Sequence, residues 1–220
     1  MGNLGSDFYF RSPTGLALRQ KYVNFESFVN QLYMEVSIIN FTRNTLLFGG
    51  NIAVGMLKIK NRKGKIIRPI RYVYSSSGIN STNTEPVFDE TMIIDTRAEL
   101  VEVIHSLDSP FALRPKMHKS VFTPLKVNSQ NEIGGLGAFY RKADSEYKIL
   151  EYFSDVINHY CFVDINTIGL PVTYFQEIHV DIYTSLEPCA SCKNVAEQFV
   201  DRYPSSNVHF YFDKKYRKQR

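Results

Sequence analysis

Apolar residues recur at Leu18, Tyr22, Phe25, Val29, Leu32, Val36 and Ile39, in alternating steps of four and three. That spacing draws one stripe along a helix, and it stops at Gly49–Gly50, too soon for a coiled-coil seam. It predicts a first helix docked on a sheet. Residues 52–60 and 66–74 are rich in Ile, Val, Leu and Tyr and flank Asn61-Arg62-Lys63-Gly64, a hairpin-loop composition. Two antiparallel strands follow, with Lys58, Lys60 and Arg62 alternating against Leu57 and Ile59, so that the basic side chains share the face away from the core. Ile93 and Ile94 end a short strand, and Thr96-Arg97-Ala98-Glu99 is a capping box that opens a helix over 97–107. Further on, Ile149, Leu150, Phe153, Val156 and Ile157 mark one face of a helix over 145–160. Residues 178–184 alternate as a strand. A helix from Cys189 to Arg202 turns Cys192, Val195, Ala196 and Phe199 to one side, and 207–212 form another strand. Strand, helix and strand at this spacing make a βαβ unit with two parallel strands.

Composition narrows the class. With 220 residues, 44% hydrophobic and 22% charged, and no repeat or linker-like run, the chain reads as one folded unit over 1–220. Disorder and a disulfide-stapled mini-protein are excluded. No apolar stretch is long enough to span a membrane and the N-terminus lacks a secretory-signal pattern, so the expectation is a soluble protein with no membrane partner. Residues 1–15 read as an extended lead-in, and 75–143 as a long insertion ahead of the helix that starts near residue 145, of a length often used for a lid or a specificity element.

The net charge of +4 hides a segregation. Seven basic residues (Lys58, Lys60, Arg62, Lys63, Lys65, Arg68, Arg71) lie within 51–80 with no acid among them. A tail over 214–220 adds Lys214, Lys215, Arg217, Lys218 and Arg220. The rest of the chain holds 14 basic against 22 acidic residues. Two basic segments on an acidic body read either as an anionic-ligand footprint or as solvated faces.

Three cysteines are too few for a disulfide framework, but Cys189 and Cys192 form a C-x-x-C at a helix start, directly after Pro188. Residues three apart share a helix face, and a helix N-terminus favours thiolates, the form used both by zinc sites and by redox pairs. Asp144-Ser145-Glu146 opens the other amphipathic helix. A zinc site that activates water needs three protein ligands and a nearby acid/base that is not a ligand. Asp144, Cys189 and Cys192 can supply the former and Glu146 the latter if the two helix starts converge. Taken singly, Asp144 reads equally well as an N-cap, Glu146 as a first-turn acid and the cysteines as free thiols.

The run Tyr183-Thr184-Ser185-Leu186-Glu187-Pro188-Cys189-Ala190-Ser191-Cys192 resembles the P-C-x-x-C motif of the zinc-dependent cytidine deaminase superfamily. Asn51-Ile52-Ala53-Val54-Gly55 resembles its Asn-containing first strand, and the order of elements is similar from residue 18 to 213, apart from 75–143. The surroundings Asp-Ser-Glu-Tyr-Lys-Ile-Leu-Glu and Cys-Ala-Ser-Cys-Lys-Asn-Val-Ala-Glu-Gln-Phe are most similar to the bacterial toxin-type deaminases. The resemblance implies a three-layer α/β/α cytidine deaminase-like fold, a mixed sheet with an N-terminal antiparallel hairpin and a C-terminal parallel βαβ unit. It implies Zn2+ on Asp144, Cys189 and Cys192, Glu146 as proton shuttle, and Asn51, Ser185 and Pro188 as substrate-binding residues. One departure stands out: Asp144 occupies a position that is His in most of the superfamily. An Asp and two thiolates give the ion three negative ligands, which leaves bound water less acidic. His105, His118 and His159 are the substitutes if Asp144 is only a cap.

The implied reaction turns cytosine into uracil by attack of a zinc-activated water at C4. The basic segments favour nucleic acid, with single-stranded DNA preferred weakly over RNA, and 14 Tyr and 16 Phe offer stacking surfaces. Other readings are a free cytidine or nucleotide deaminase and a catalytically silent zinc-binding module. A toxin would act in the cytoplasm, its own or that of a target cell after secretion, with an immunity protein as partner.

Overall fold

The computed structural model describes residues 2–35, 51–61, 63–77, 109–113, 115, 119–168 and 177–215. The expected helix over 97–107, the strand ending at Ile93 and Ile94, and the far end of the first apolar stripe (Val36, Ile39) lie outside the described residues. The elements run β1 (Asn3–Phe8), a 3-10 turn (Tyr9–Arg11), α1 (Pro13–Glu35), β2 (Ile52–Lys60), β3 (Arg71–Ser76), β4 (Lys126–Val127), β5 (Phe139–Tyr140), α2 (Ser145–Ile168), β6 (Glu177–Leu186), α3 (Ala190–Arg202) and β7 (Ser206–Lys214). The fold is mixed α/β. Five strands form one sheet in the order β1-β7-β6-β2-β3, and β4 pairs with β5 in a separate two-stranded sheet.

Within the large sheet β2 is antiparallel to both β3 and β6, while β6, β7 and β1 are mutually parallel. Successive β2 residues divide between two cores, as a period of two requires. Ile52, Val54 and Met56 pack with Leu18, Phe25 and Val29 of α1. Ala53, Leu57 and Ile59 pack with Ile149, Leu150, Phe153 and Ile157 of α2 and Val195, Ala196 and Phe199 of α3. Among the described residues, the apolar stripes read from the sequence are thus the faces these helices turn to the two cores.

Gly55 lies where α2 crosses the sheet. A Cβ there would stand 2.5 Å from Ile149 Cγ2 and 2.9 Å from Phe153 Cε2, both fully buried. Gly55→Ala therefore overpacks the core. The expected loss is about 1–3 kcal/mol, read as a fall in thermal midpoint of about 2–4 °C per kcal/mol; an unchanged midpoint would mean that α2 can shift at no cost.

Two strand boundaries differ from expectation. The second hairpin strand is Arg71–Ser76 rather than 66–74. Ile66 still bridges to Lys60, but residues 67–70 then face only 58 and 59 before pairing resumes at Leu57 and Arg71. This segment contains Pro69, which has no N–H for the ladder. The turn itself is as expected: Gly64 has φ +71, and Asn61 Oδ1 accepts from the Lys63 and Lys65 amides at 2.9 and 3.1 Å. At the other end of the chain, residues 3–8 are extended and also paired, with Asn3 opposite Asn207 and Phe8 opposite Phe212, and α1 begins at Pro13.

Described parts of the long insertion run along α2 and α3. Phe111 bridges Tyr74 on the outer edge of β3, with Ala112 N donating to Tyr74 O at 2.7 Å. The buried carboxylate of Glu151 accepts from Ser120 Oγ (2.8 Å), Val121 N (3.0 Å) and Phe122 N (2.8 Å). Gln198 exchanges two 2.9 Å hydrogen bonds with the Thr123 backbone, and Ser191 Oγ accepts from Leu125 N at 2.9 Å. A strap over 120–125 is thereby fastened to both helices. No described helix is long and apolar enough to cross a membrane.

Candidate metal centre and active site

Both helix starts and the ends of two strands meet at one end of the sheet. Cys189 is the N-cap of α3, its sulfur accepting from Cys192 N at 3.4 Å. Asn131, held at φ +66, adds a second cap: its Oδ1 accepts from Ala190 N at 2.6 Å. Asp144 stands at the start of α2, where its carbonyl accepts from Lys148 N at 3.2 Å. Its side chain faces the other helix, with Oδ2 3.2 Å from Cys189 Sγ and 3.3 Å from Cys192 Sγ, and the two sulfurs are 3.4 Å apart. Among the described residues these three form the one group able to hold a metal ion.

Chemistry and spacing both fit a cation. Burial, the Cys189 sulfur and the Glu146 and Asp144 carboxylates all crowd Cys192; its hydrogen bond with Cys189 is the foremost influence, and together they push its thiol well above the usual range. Raised this far, the Cys192 thiol keeps its proton until a cation replaces it. Tetrahedral zinc, with bonds of about 2.3 Å to sulfur and about 2.1 Å to oxygen, spaces its donors about 3.5–3.8 Å apart. A few tenths of an ångström of expansion opens the triad to that size. Arg141 adds a positive charge beside it, Nη1 lying 3.8 Å from Asp144 Oδ1 while Nη2 donates to Asn128 O at 3.1 Å.

Glu146, 4% exposed, points toward the sheet. Asn51 Nδ2 and Thr184 Oγ1 donate to its Oε1 at 3.2 and 3.3 Å, and Ser145 Oγ donates to its Oε2 at 2.9 Å. Burial, with a contribution from the Asp144 carboxylate, pushes its pKa up to about 7. A carboxyl poised near neutrality is able both to take and to give a proton. Asn51 in turn hydrogen-bonds Thr184 Oγ1 through its amide and accepts from Ser185 Oγ at 2.8 Å.

Six of the seven residues singled out from the sequence are therefore joined by hydrogen bonds or sulfur contacts: Asn51, Ser185 and Glu146 on one side, Asp144, Cys189 and Cys192 on the other. Pro188 is buried between β6 and α3. His159 is exposed beside Tyr160, well along α2, and takes no part; His105 and His118 lie outside the described residues. Two residues escaped sequence reading. Thr184 shares the face of Ile182 and Val180, a signal present in the alternation of β6. Lys148, fully buried and donating to Ser76 O at 2.7 Å, breaks the apolar pattern of α2 and has no sequence signature.

The two basic segments separate. β2 starts beside Asn51 and rises about 3.4 Å per residue, which sets Lys60 and the hairpin turn about 27 Å from Ile52. The hairpin is thus remote from the triad. Lys214, by contrast, pairs with Leu186, and its carbonyl accepts from Glu187 N at 2.7 Å, so Lys214 stands at the site's end of the sheet.

A cluster of two thiols and a carboxylate next to a buried, proton-ready carboxyl is equipment for hydrolytic chemistry on a metal. Residues 38–214, most of the chain and all of the cluster, match the family model of a toxin-type deaminase, the BURPS668_1122 family of deaminases. The chain belongs to that family, within the cytidine deaminase-like superfamily. No curated protein and no solved structure gives a significant match.

Proposed function

We propose that the protein is a zinc-dependent cytosine deaminase acting on single-stranded nucleic acid, built on the three-layer α/β/α cytidine deaminase-like fold. The convergence of Asp144, Cys189 and Cys192 within 4.8 Å of one another, next to a Glu146 carboxyl with a pKa of about 7, carries this reading. The three ligand side chains would hold zinc, which when bound activates water as a Lewis acid. Cytosine and water become uracil and ammonia. Glu146 takes a proton from the water, delivers one to N3 and then serves the departing ammonia. Asn51 and Thr184 fix its Oε1 and leave the carboxyl one orientation, while Asn51 and Ser185 stand where they can reach the substrate. Arg141 offsets part of the charge that an aspartate ligand adds.

Family membership supports a toxin that works in a target cytoplasm and is countered by an immunity protein. The polymer is favoured by Lys214 and Lys215 beside the site rather than by the hairpin. The test is sequencing of single-stranded DNA and RNA after incubation with the zinc-loaded chain and with Glu146→Ala, together with an assay of free cytidine. C-to-T changes that vanish in the variant are expected. Ammonia release from cytidine alone would shift the substrate to a free nucleoside. Zinc bound at about one per chain without any turnover would leave a silent zinc module.

A further inference from the structure

Between the strap and the triad lies a feature that neither the motif nor the basic segments account for. The small β4–β5 sheet stands immediately ahead of Asp144, and its second strand is exposed: Phe139 by 55% and Tyr140 by 52%. Tyr140 pairs across with Lys126. Directly opposed residues share a sheet face, and Lys142, in the turn just past the strand, reaches the same ring. Both ammoniums gather on the one ring, Lys126 Nζ 4.9 Å and Lys142 Nζ 5.2 Å from its centroid. Neither has a carboxylate partner among the described residues. Lys142 also lines a cavity of about 190 Å³ with Ser120, Phe122, Thr123 and Tyr147.

A core role does not explain an aromatic ring that is half exposed. Two like charges at one ring repel each other, and an exposed cation–ring contact returns little. An anion brought to the pair relieves that repulsion and frees the ring. A flat group attached to the anion can then lie on the ring. Phosphate joined to a base has this chemistry, and single-strand binders combine such cations with stacking rings. Tyr140 is four residues from Asp144, at most about 14 Å of chain, which puts it within reach of a nucleotide flanking a base held at the site.

We infer that Lys126, Tyr140 and Lys142 form a landing platform for the nucleotide flanking the reactive base, the lysines on its phosphates and the Tyr140 ring against its base. This rests on the polynucleotide deaminase reading. It gives that reading a location for substrate contacts that the remote hairpin does not supply. Stacking is tolerant of base identity because every base has a π-face, so the ring itself implies no strong flanking-base preference.

The experiment uses the full zinc-loaded chain and short labelled single-stranded DNA and RNA oligonucleotides, with binding followed by anisotropy over a salt series and deamination followed in parallel. Tyr140→Ala is expected to weaken both by about 5- to 150-fold, with Tyr140→Phe close to wild type. Lys126→Ala and Lys142→Ala each lower the slope of log affinity against log salt by about 0.7. Zinc content equal to wild type certifies the site in every variant, and the two lysine variants, lying on the surface, test the platform even if Tyr140→Ala fails to fold. If the wild type edits polynucleotide and these variants edit and bind as it does, the platform is wrong and the deaminase reading stands. If the wild type acts on free cytidine alone, the polynucleotide reading falls and the platform with it.

Discussion

Glu146→Gln is expected to lower turnover by about 10²- to 10⁴-fold or more while leaving the fold and the metal content unchanged. Gln keeps the size of the side chain and an oxygen to accept from Asn51 and Thr184, and its amide can donate to Ser145 Oγ. What is lost is the exchangeable proton. Stability shifts in a direction that identifies the cause. In the metal-free protein the Glu146 pKa is raised to about 7 from 4.5 by burial. The neutral form is therefore the one the fold favours: its contribution is fully present below pH 4.5 and is lost as pH rises through 7. Gln has no such loss. Melts of metal-free protein should show the variant gaining on wild type between pH 5 and 8, by roughly 3 kcal/mol at the upper end. A metal-bound wild type should show less of this, since a cation beside the carboxylate draws its pKa back down. A variant that edits nucleic acid at wild-type rate would remove Glu146 from the reaction.

Glu151→Ala carries the largest expected loss of stability away from the reactive groups. It removes the acceptor of the buried Phe122 N–H and of the half-buried Val121 N–H, while the Ser120 hydroxyl keeps Phe122 O and Tyr147 Oη as partners. Stranded buried donors cost about 1–3 kcal/mol each. A total on the order of 3–5 kcal/mol lowers the thermal midpoint by about 6–20 °C in a domain of this size. Glu151→Gln retains one acceptor oxygen and should lose less. Protease cleavage appearing within 115–125 in Glu151→Ala, and not in wild type, would locate the damage in the strap; an unchanged midpoint would show the strap to be fastened elsewhere.

What could be read in advance follows from the kind of force involved. The faces of α1, α2 and α3 were legible because burial repeats with the helix period, and β6–α3–β7 because strand alternation gives way to that period at Pro188. The triad was legible by motif, and its closure depended on two helix starts lying at the same end of one sheet. β1 was not, since Asn-Leu-Gly-Ser-Asp-Phe has no alternation and its pairing is made by backbone groups that every residue carries. The strap was equally hidden: Glu151, Gln198 and Ser191 hold it through backbone bonds whose partners lie far off in sequence. The hairpin charges were visible, but not which end of the sheet they would occupy, because charge along a chain has no direction until the strands are laid down.

The pairing of β1 with β7 has a consequence for how the molecule assembles. Phe8 lies opposite Phe212, so this edge of the sheet closes a loop of about 200 residues, while β6 and β7 are joined through a single helix. Loop-closure entropy rises with the logarithm of loop length, and contacts distant in sequence slow folding. The parallel pair that carries the cysteines therefore has the shorter route to formation, and β1 joins against the greatest entropic cost. A chain threaded from its N-terminus through a narrow channel would leave β1 waiting until the cysteine helix and β7 had followed, so the metal-binding unit can organise while the sheet still lacks its outermost strand.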